Sequence, residues 1–334
     1  MEENMQENME EKEEQAIQET DHSVETATAP EEEPASEKKP FQLSKMSYYA
    51  LLAIFSAVFL LCAVYLGHYF FETGSAQNDY DVLASIRDQA TAGSNIQRPT
   101  GPTAPTAPSG SSQPSEPTAP TEPVMLPELA PIYQLNNDLV GWFDMPYMDA
   151  QYPVVQRKDD QDYYLYRDFY GEDNISGCLY VDADCDVFEP SDSVVIYGHA
   201  MKTGAMFGGL SKYQDKSYWE QHQTFVFDTL YERHTYQIFC VFKTTGTQYD
   251  TDGSRLGYPY HVKTDFANEE AFDQFISDIK GDAFVGNNGS GGYRGYCFYD
   301  TGITPQYGDK LLCLSTCEYS YNNGRLVVMA VRID

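Results

Sequence analysis

What the sequence lacks narrows the class of protein. None of the seven cysteines forms a Cys-X-X-Cys pair, which argues against a zinc ribbon and against a thioredoxin-type redox site. Basic residues are scarce, since 21 Lys and Arg stand against 51 Asp and Glu, a formal net charge of −30. No basic stripe of the kind that binds nucleic acid is present. The acidic balance favours solubility and repels anionic polymers.

The first part of the chain contains one long apolar run. Residues 1–46 have few large apolar side chains, and we expect a disordered acidic tail there because too little surface is buried to offset the ordering entropy. Tyr48–Phe71 is an uncharged run of 24 residues. As a helix it would reach roughly 36 Å, enough to cross a hydrocarbon core of about 30 Å. The sequence therefore predicts a transmembrane helix over residues 47–71.

The charges that flank this run predict its orientation. Lysines precede the run and acidic residues follow it (Lys38, Lys39 and Lys45 before; Glu72, Asp79 and Asp81 after). The positive-inside rule then places the N-terminus in the cytoplasm and the C-terminal part outside the cell. A cleaved signal peptide is the alternative, although its apolar region normally has 7–15 residues and begins close to the N-terminus.

A spacer and a globular domain follow. Residues 72–125 are expected to form an extracellular linker, because Arg98–Pro127 is a low-complexity Pro/Thr/Ser stretch that proline keeps extended. It would hold the next domain off the membrane, or serve as an inert stalk. Residues 126–334 have the composition of a globular domain.

The globular domain is predicted to be mainly β. A short helix is expected to end near Asn136, and longer helical spacing appears over Ala267–Ile279. Short β-rich runs separated by turn residues indicate a barrel or a sandwich; they are a run from Val140, Tyr152–Val155, Cys178–Val181, Ser193–Tyr197, Thr224–Phe227, Thr235–Phe242, Tyr296–Tyr299, Lys310–Thr316 and Arg325–Ile333.

Three side chains stand at strand ends with the chemistry of acyl transfer. His199 follows an apolar strand and a glycine, Cys317 lies where another strand gives way to a polar loop, and Arg325 opens the last strand. A thiolate, a proton-transfer group and a fixed cation together form an acyl-transfer site. Individually, each has an ordinary structural interpretation, as a hydrogen-bonded histidine, a small buried cysteine or a surface arginine. An odd number of cysteines also leaves at least one thiol without a disulfide, while pairing among Cys178, Cys185, Cys240, Cys297 and Cys313 stays open.

These segments resemble the sortases, and class B sortases most closely. The matching pieces are LCLSTC at Leu312–Cys317, YGH at Tyr197–His199, NGR at Asn323–Arg325 and the upstream block Asn136–Phe169. Two departures are Ala200, where the family commonly has Asn after the histidine, and Cys313, where it usually has Thr. The resemblance covers about Leu126 to Asp334.

The resemblance implies a fold and an activity. The fold is a closed eight-stranded β-barrel with an N-terminal helix and a helix in the loop before the cysteine strand. The activity is cleavage of a C-terminal sorting motif on a secreted protein through a Cys317 thioester, which an amine of a peptidoglycan precursor or a pilin resolves. His199 and Arg325 complete the catalytic set, and we expect Ser315, Thr316 and Glu318 to contact substrate. No cofactor or metal is expected.

Two other functions remain open from the residues. One is a membrane-anchored cysteine peptidase of cell-wall turnover, which would hydrolyse its thioester with water. His199 precedes Cys317 here, which is opposite to the papain-like order. The other is a non-enzymatic binding domain displayed on a stalk, for which the anchor, spacer and acidic domain fit equally well.

Overall fold

The structure, a computed structural model, describes residues 44–93, 123–148, 150–246, 257–281, 297–320 and 323–334. The chain divides into two compact units, Met1–Leu61 and Cys62–Asp334. Most of the predicted acidic tail and of the Pro/Thr/Ser-rich stretch lies outside the described residues.

The second unit is built on a closed β-barrel. Its eight strands are β1 (Leu139–Met145), β2 (Ala150–Val155), β3 (Leu179–Val181), β4 (Ser193–Tyr197), β5 (Thr224–Thr229), β6 (Thr235–Thr245), β7 (Leu311–Glu318) and β8 (Gly324–Arg332). They close in the order β1-β2-β3-β4-β7-β8-β6-β5. The pairs β2–β3 and β4–β7 are parallel, and the others are antiparallel. The predicted closed eight-stranded barrel is confirmed.

Buried aromatic side chains pack on both faces of the barrel strands, because neighbouring residues such as Trp142 and Phe143 project to opposite sides. Trp142, Phe143, Phe225 and Phe242 are all essentially inaccessible to solvent. The Phe143 ring packs against Phe225 with centroids 5.4 Å apart. Large aromatic groups contribute much of the burial energy of a core.

The segment between β6 and β7 carries helix α4 (Glu269–Lys280), close to the predicted Ala267–Ile279. The Asn268 side chain accepts a hydrogen bond from the Ala271 N–H at 3.0 Å, which caps the helix. Its apolar face is buried, with Phe272, Phe275, Ile276 and Ile279. The helical spacing of these apolar residues therefore predicted both the helix and its buried face correctly.

The predicted strand at Tyr296–Tyr299 is wrong for the residues that are described. Cys297 is joined to Cys240 of β6 by a disulfide with a Cα–Cα distance of 5.1 Å. The Phe298 N–H donates to the Val241 carbonyl at 2.8 Å. These contacts tie residues 297–299 to β6 without extending a ladder, so the run is not a ninth strand. Two short helices also lie outside the barrel, α2 (Ala130–Tyr133) and α3 (Lys216–Gln221).

Helix α1 (Lys45–Gly93) extends well beyond the predicted transmembrane segment. The first part of the predicted linker, residues 72–93, is helical. Tyr80, Leu83 and Arg87 recur at helical spacing and are buried against the barrel. The Tyr80 hydroxyl donates to the Gly177 carbonyl at 2.7 Å. The surrounding segment, residues 72–93, contains mostly polar and small residues, so the sequence did not predict this buried stripe.

The first half of α1 is apolar and exposed. Lys45–Phe70 is long enough and apolar enough to cross a membrane, with a mean hydropathy of 2.5 over its most apolar window and no buried side chains in that window. In a water-soluble domain such a surface would be covered. One segment of the described chain is therefore a candidate membrane anchor.

Candidate active site

The β7–β8 hairpin places Cys317 beside Arg325. Cys317 is the next-to-last residue of β7 and Arg325 is the second residue of β8. The two residues are direct partners in the antiparallel register. Directly opposite residues project from the same face with Cβ atoms about 4.5–5.5 Å apart. The ladder alone therefore sets a thiol next to a guanidinium.

Strand β4 brings His199 to the same end of the barrel. Strands β4 and β7 are parallel, and their last registered pair is Tyr197 with Ser315. His199 and Cys317 each lie two residues further along, so they stand level at the rim. The Thr316 hydroxyl donates to the Gly198 carbonyl at 2.7 Å. This bond fastens the end of β4 to β7.

Gly198 is required by close packing and not by an unusual backbone angle. A Cβ atom at this position would lie 2.4 Å from Leu179 Cδ2 and 2.8 Å from Phe207 Cδ2. A larger residue here would require the Leu179 and Phe207 side chains to shift. Close packing therefore explains why a glycine stands before the histidine in the Tyr-Gly-His sequence.

The imidazole of His199 is held by its surroundings. Its Nε2 lies 2.6 Å from the Leu165 carbonyl oxygen, which can only accept, so Nε2 carries the hydrogen. The Tyr166 ring packs against the imidazole with centroids 5.3 Å apart. Burial lowers the pKa of His199, and the bond to Leu165 opposes this shift in part. The neutral ring is therefore favoured more than in a free histidine.

The guanidinium of Arg325 retains donors for a ligand. Its Nη1 donates to the Gly324 carbonyl at 3.0 Å and to the Asn323 carbonyl at 3.4 Å. These bonds use only one of the three guanidinium nitrogens. Among the described residues no further hydrogen bond of the other two nitrogens is seen, so they can donate to a ligand beside Cys317.

Cys317 differs from the other described thiols of the domain by its exposure. It is partly exposed, whereas Cys178, Cys185 and Cys313 are buried. Burial raises the pKa of Cys178 and of Cys185 to about 12, and raises that of Cys313 well above its ordinary value. Such thiols stay protonated and inert.

One cavity of about 330 Å³ contains all three predicted catalytic side chains, His199, Cys317 and Arg325. Its remaining lining residues are Gln161, Asp162, Leu165, Tyr180, Asp182, Tyr197, Gly198, Gly246, Tyr260, His261, Ser315, Thr316 and Asn323. The cavity is large enough for part of an extended peptide, and it opens on the strand ends that carry the thiol and the imidazole.

The three residues expected to contact substrate are placed differently from one another. Ser315 and Thr316 line the cavity but are buried, and the Ser315 hydroxyl lies 2.6 Å from the Tyr260 hydroxyl. Glu318 does not line the cavity; its carboxylate pairs with Lys243 at 3.0 Å. The Lys243 and Ser320 contacts lower the pKa of Glu318 despite its partial burial.

Eleven of the lining residues were not predicted as site residues, and four of them have informative contacts or positions. Tyr197 and Asp182 are joined by a 2.7 Å hydrogen bond from the phenol to the carboxylate. Tyr260 and His261 come from a 3-10 turn in the β6–β7 segment. Asp182 directly follows a predicted strand and was open to detection, whereas the turn reaches the site only through tertiary packing.

The fold and this constellation define a sortase. The Sortase domain family model matches residues 143–333, more than half of the chain. The chain belongs to the sortase family, whose members are cysteine transpeptidases. This assignment confirms the resemblance found in the sequence.

Relatives within the family are sortase B proteins. The chain is 28% identical over 206 residues to sortase B of Staphylococcus aureus, covering 61% of this chain and 74% of that protein. It is 30% identical over 203 residues to sortase B of Listeria monocytogenes, covering 60% and 72%. A crystal structure of sortase B from Bacillus anthracis is similar with a TM-score of 0.56 at 27% identity, covering 77% of this chain and 95% of that one.

Proposed function

We propose that Cys317 is the nucleophile of a sortase reaction, with His199 as the proton-transfer group and Arg325 as the oxyanion stabiliser. The observation that carries this proposal is the strand register, in which Cys317 faces Arg325 while β4 brings His199 to the same cavity. The three groups have the chemistry that acyl transfer needs.

The reaction proceeds in two steps, formation of a thioester on Cys317 and transfer of the acyl group to an amine. The Cys317 thiolate attacks the scissile carbonyl, and the developing oxyanion accepts hydrogen bonds from Arg325. The C–N bond breaks as the His199 imidazolium gives its proton to the leaving amine, which leaves a thioester on Cys317. An incoming amine then attacks the thioester, neutral His199 takes its proton, and a new amide forms as the thiolate departs.

Membership of the sortase family supports a class of substrate. We infer that the donor is a secreted protein with a C-terminal sorting motif and that the acceptor is an amine of a peptidoglycan precursor or of a pilin. A structure of S. aureus sortase B in complex with substrate has the same fold as this chain, with a TM-score of 0.59 at 22% identity. Ser315 and Thr316 serve the substrate by shaping the cavity floor, since both hydroxyls are already hydrogen-bonded.

The first part of α1 supports a location for the protein. We propose that residues 47–71 span the membrane once, with residues 1–46 in the cytoplasm and the catalytic domain of residues 126–334 outside. The long exposed apolar surface of Lys45–Phe70 supports the anchor, and the flanking lysines support the orientation. The residues between anchor and barrel are then a spacer whose helical part packs on the enzyme.

Product analysis tests this function against hydrolysis. The full chain in detergent is incubated with a library of candidate sorting peptides, with and without triglycine as the amine acceptor. A transpeptidase yields peptide–triglycine amides, whereas a hydrolase yields the free acid at the same rate with or without the amine. Cys317→Ala should give neither product. Turnover by that variant would overturn the site assignment.

A further inference from the structure

Helix α1 reaches the barrel at the end that carries the catalytic cavity. Phe70, the last residue of the apolar segment Lys45–Phe70, shares a separate cavity of about 620 Å³ with Thr203 and Gly204. These two residues lie four and five positions after His199, in the loop that leaves the end of β4. The apolar segment therefore ends close to the rim of the catalytic cavity.

The β7–β8 loop approaches α1 at the same rim. Tyr319 is the second residue after Cys317 and is 74% exposed. Partial burial raises the pKa of Tyr319, and Cys317, Tyr166 and Tyr69 raise it further. Charges at a protein surface are screened beyond about 10 Å, so these groups are near neighbours. Tyr69 belongs to the last turn of the apolar segment, which therefore ends beside the loop that follows the thiol.

Exposed tyrosines stand at the mouth of the catalytic cavity on two different loops. Tyr319 comes from the β7–β8 loop, and Tyr166, which is 61% exposed, comes from the segment between β2 and β3. The Tyr166 ring also packs on His199, with centroids 5.3 Å apart. A phenol has an apolar ring and a polar tip, which is why tyrosine is enriched where a membrane meets water. Both loops therefore present interface-type side chains at the end of the barrel from which the apolar segment leaves.

The docked part of α1 keeps this rim close to the bilayer. The Tyr80 hydroxyl donates to the Gly177 carbonyl at 2.7 Å, which fixes the helix to the barrel. Ten helical residues separate Tyr80 from Phe70, a distance of about 15 Å. A domain tethered this closely meets the bilayer surface at a high effective concentration, so burial of a few rings is enough to orient it. Charge attraction to anionic lipid is weak here, because the chain has a formal net charge of −30.

Resting on the proposed function and its anchor, we propose that the rim formed by Tyr166 and Tyr319 lies in the headgroup layer of the membrane, so that the mouth of the catalytic cavity opens onto the bilayer surface. The partner of this rim is the lipid surface itself. The opposite end of the barrel then faces away from the membrane. A substrate held at the bilayer surface reaches Cys317 without leaving that layer.

Quenching of tryptophan fluorescence by lipid measures this contact directly. The chain has two tryptophans, Trp142 and Trp219, and both are buried, so the unmodified protein supplies the background. The full-length variants Tyr319→Trp and Tyr166→Trp are each reconstituted in phosphatidylcholine vesicles, with and without bromine near the top of the acyl chains. Both introduced probes should lose emission in the brominated vesicles, because an aromatic ring at the interface lies within contact of the upper chains.

The matched control is Phe188→Trp, at a ring that is 47% exposed between β3 and β4. Strand β3 runs antiparallel to β4, so the turn between them lies at the end of the barrel opposite to His199. The five residues of β4 span about 17 Å at ~3.3 Å per residue. The probe at position 188 should therefore keep its emission in brominated vesicles. A melting curve of each variant checks that the fold is retained.

The outcomes separate this inference from the proposed function. Equal emission of the two rim probes with and without bromine overturns the membrane-facing rim, and so does equal quenching at all three positions. If Tyr166→Trp does not fold, the comparison of positions 319 and 188 decides alone. A chain that does not float with the vesicles overturns the anchor and this inference with it. Transpeptidation in detergent needs no bilayer, so the proposed sortase reaction is judged by its own assay.

Discussion

The guanidinium of Arg325 acts at the scale of a single group. It faces Cys317 across the β7–β8 ladder, and its Nη1 donates to the backbone carbonyls of Asn323 and Gly324. A planar guanidinium can therefore hold its own loop and still present donors to an oxyanion. A lysine ammonium is a single point charge and cannot do both.

We predict that Arg325→Lys lowers kcat for transpeptidation by about a hundredfold, the cost of losing one oxyanion donor. The matched control is Arg332→Lys, seven residues further along β8, where the side chain pairs with Asp334 at 3.9 Å. This control should keep nearly full activity. Equal activity of the two variants in a steady-state assay would contradict the assigned role.

The pKa of His199 gives a second prediction. Burial disfavours the imidazolium in the folded protein and lowers this pKa from the ordinary value of about 6.5. The unfolded chain then binds more protons near that pH, so the stabilising contribution is complete above about pH 6.5 and is lost as the pH falls. An NMR titration of the ring, assigned by the missing signal in His199→Gln, should give a midpoint below 6.5. A midpoint above 6.5 would contradict burial as the dominant cause.

At the scale of elements, the Cys240–Cys297 disulfide joins the β6–β7 segment to strand β6 of the barrel. Cys240 lies within β6, and Cys297 lies 57 residues later in the sequence. The enclosed stretch includes α4 and the turn that presents Tyr260 and His261 to the cavity. Its ends are thus fixed at β6 on both sides.

Reduction of this bond should destabilise the protein. A cross-link that closes a loop of this size removes about 4 kcal/mol of chain entropy from the unfolded state. We therefore predict that dithiothreitol lowers the Tm of the unmodified protein and leaves unchanged the Tm of the variant with both Cys240→Ser and Cys297→Ser. If calorimetry shows the same shift for both proteins, the cross-link is not the source of the stability.

The second half of α1 packs against the barrel of the catalytic domain. The Arg87 guanidinium contacts the Asp228 carboxylate at 3.3 Å and the Asp144 carboxylate at 3.7 Å, and it lies 5.0 Å from the Trp142 ring centroid. Asp144 and Asp228 are both almost fully buried. Removal of the arginine would leave two buried carboxylates without this cation, which is strongly destabilising.

A truncation series tests this docking. A fragment of residues 72–334 should melt about 5–10 °C above a fragment of residues 126–334, because the shorter one loses the buried Tyr80 and Leu83 side chains and the Arg87 ion pairs. A fragment of residues 94–334 serves as control and should melt with the shorter one. Equal melting temperatures for all three would show that the helix adds nothing to the fold.

For the whole molecule, the barrel and the main site could be predicted because their signals are local. Alternating apolar runs set the strands, and a spacing of eight residues between Cys317 and Arg325 fits a hairpin whose two ends meet. His199 needed one further assumption, that β4 lies beside β7, which came from the family resemblance. The register then makes the three residues neighbours.

The rest depends on contacts between segments distant in sequence. Asp182, Tyr260 and His261 join the cavity only after the barrel closes and the β6–β7 segment folds over it. The partner of Cys240 could not be chosen among the other cysteines, because spacing does not determine pairing. The buried stripe of α1 lies in a polar segment beside a proline-rich stretch, so composition concealed it.

The central claim is that Cys317 alone carries the acyl group, and tandem mass spectrometry of the acylated protein tests it most directly. We predict a single thioester on the peptide that contains Cys317, its complete absence in Cys317→Ala, and its normal formation in Cys313→Ala, a control on the same strand whose thiol is buried. An acyl group found on any other residue, or formed at the normal rate in Cys317→Ala, would contradict the account.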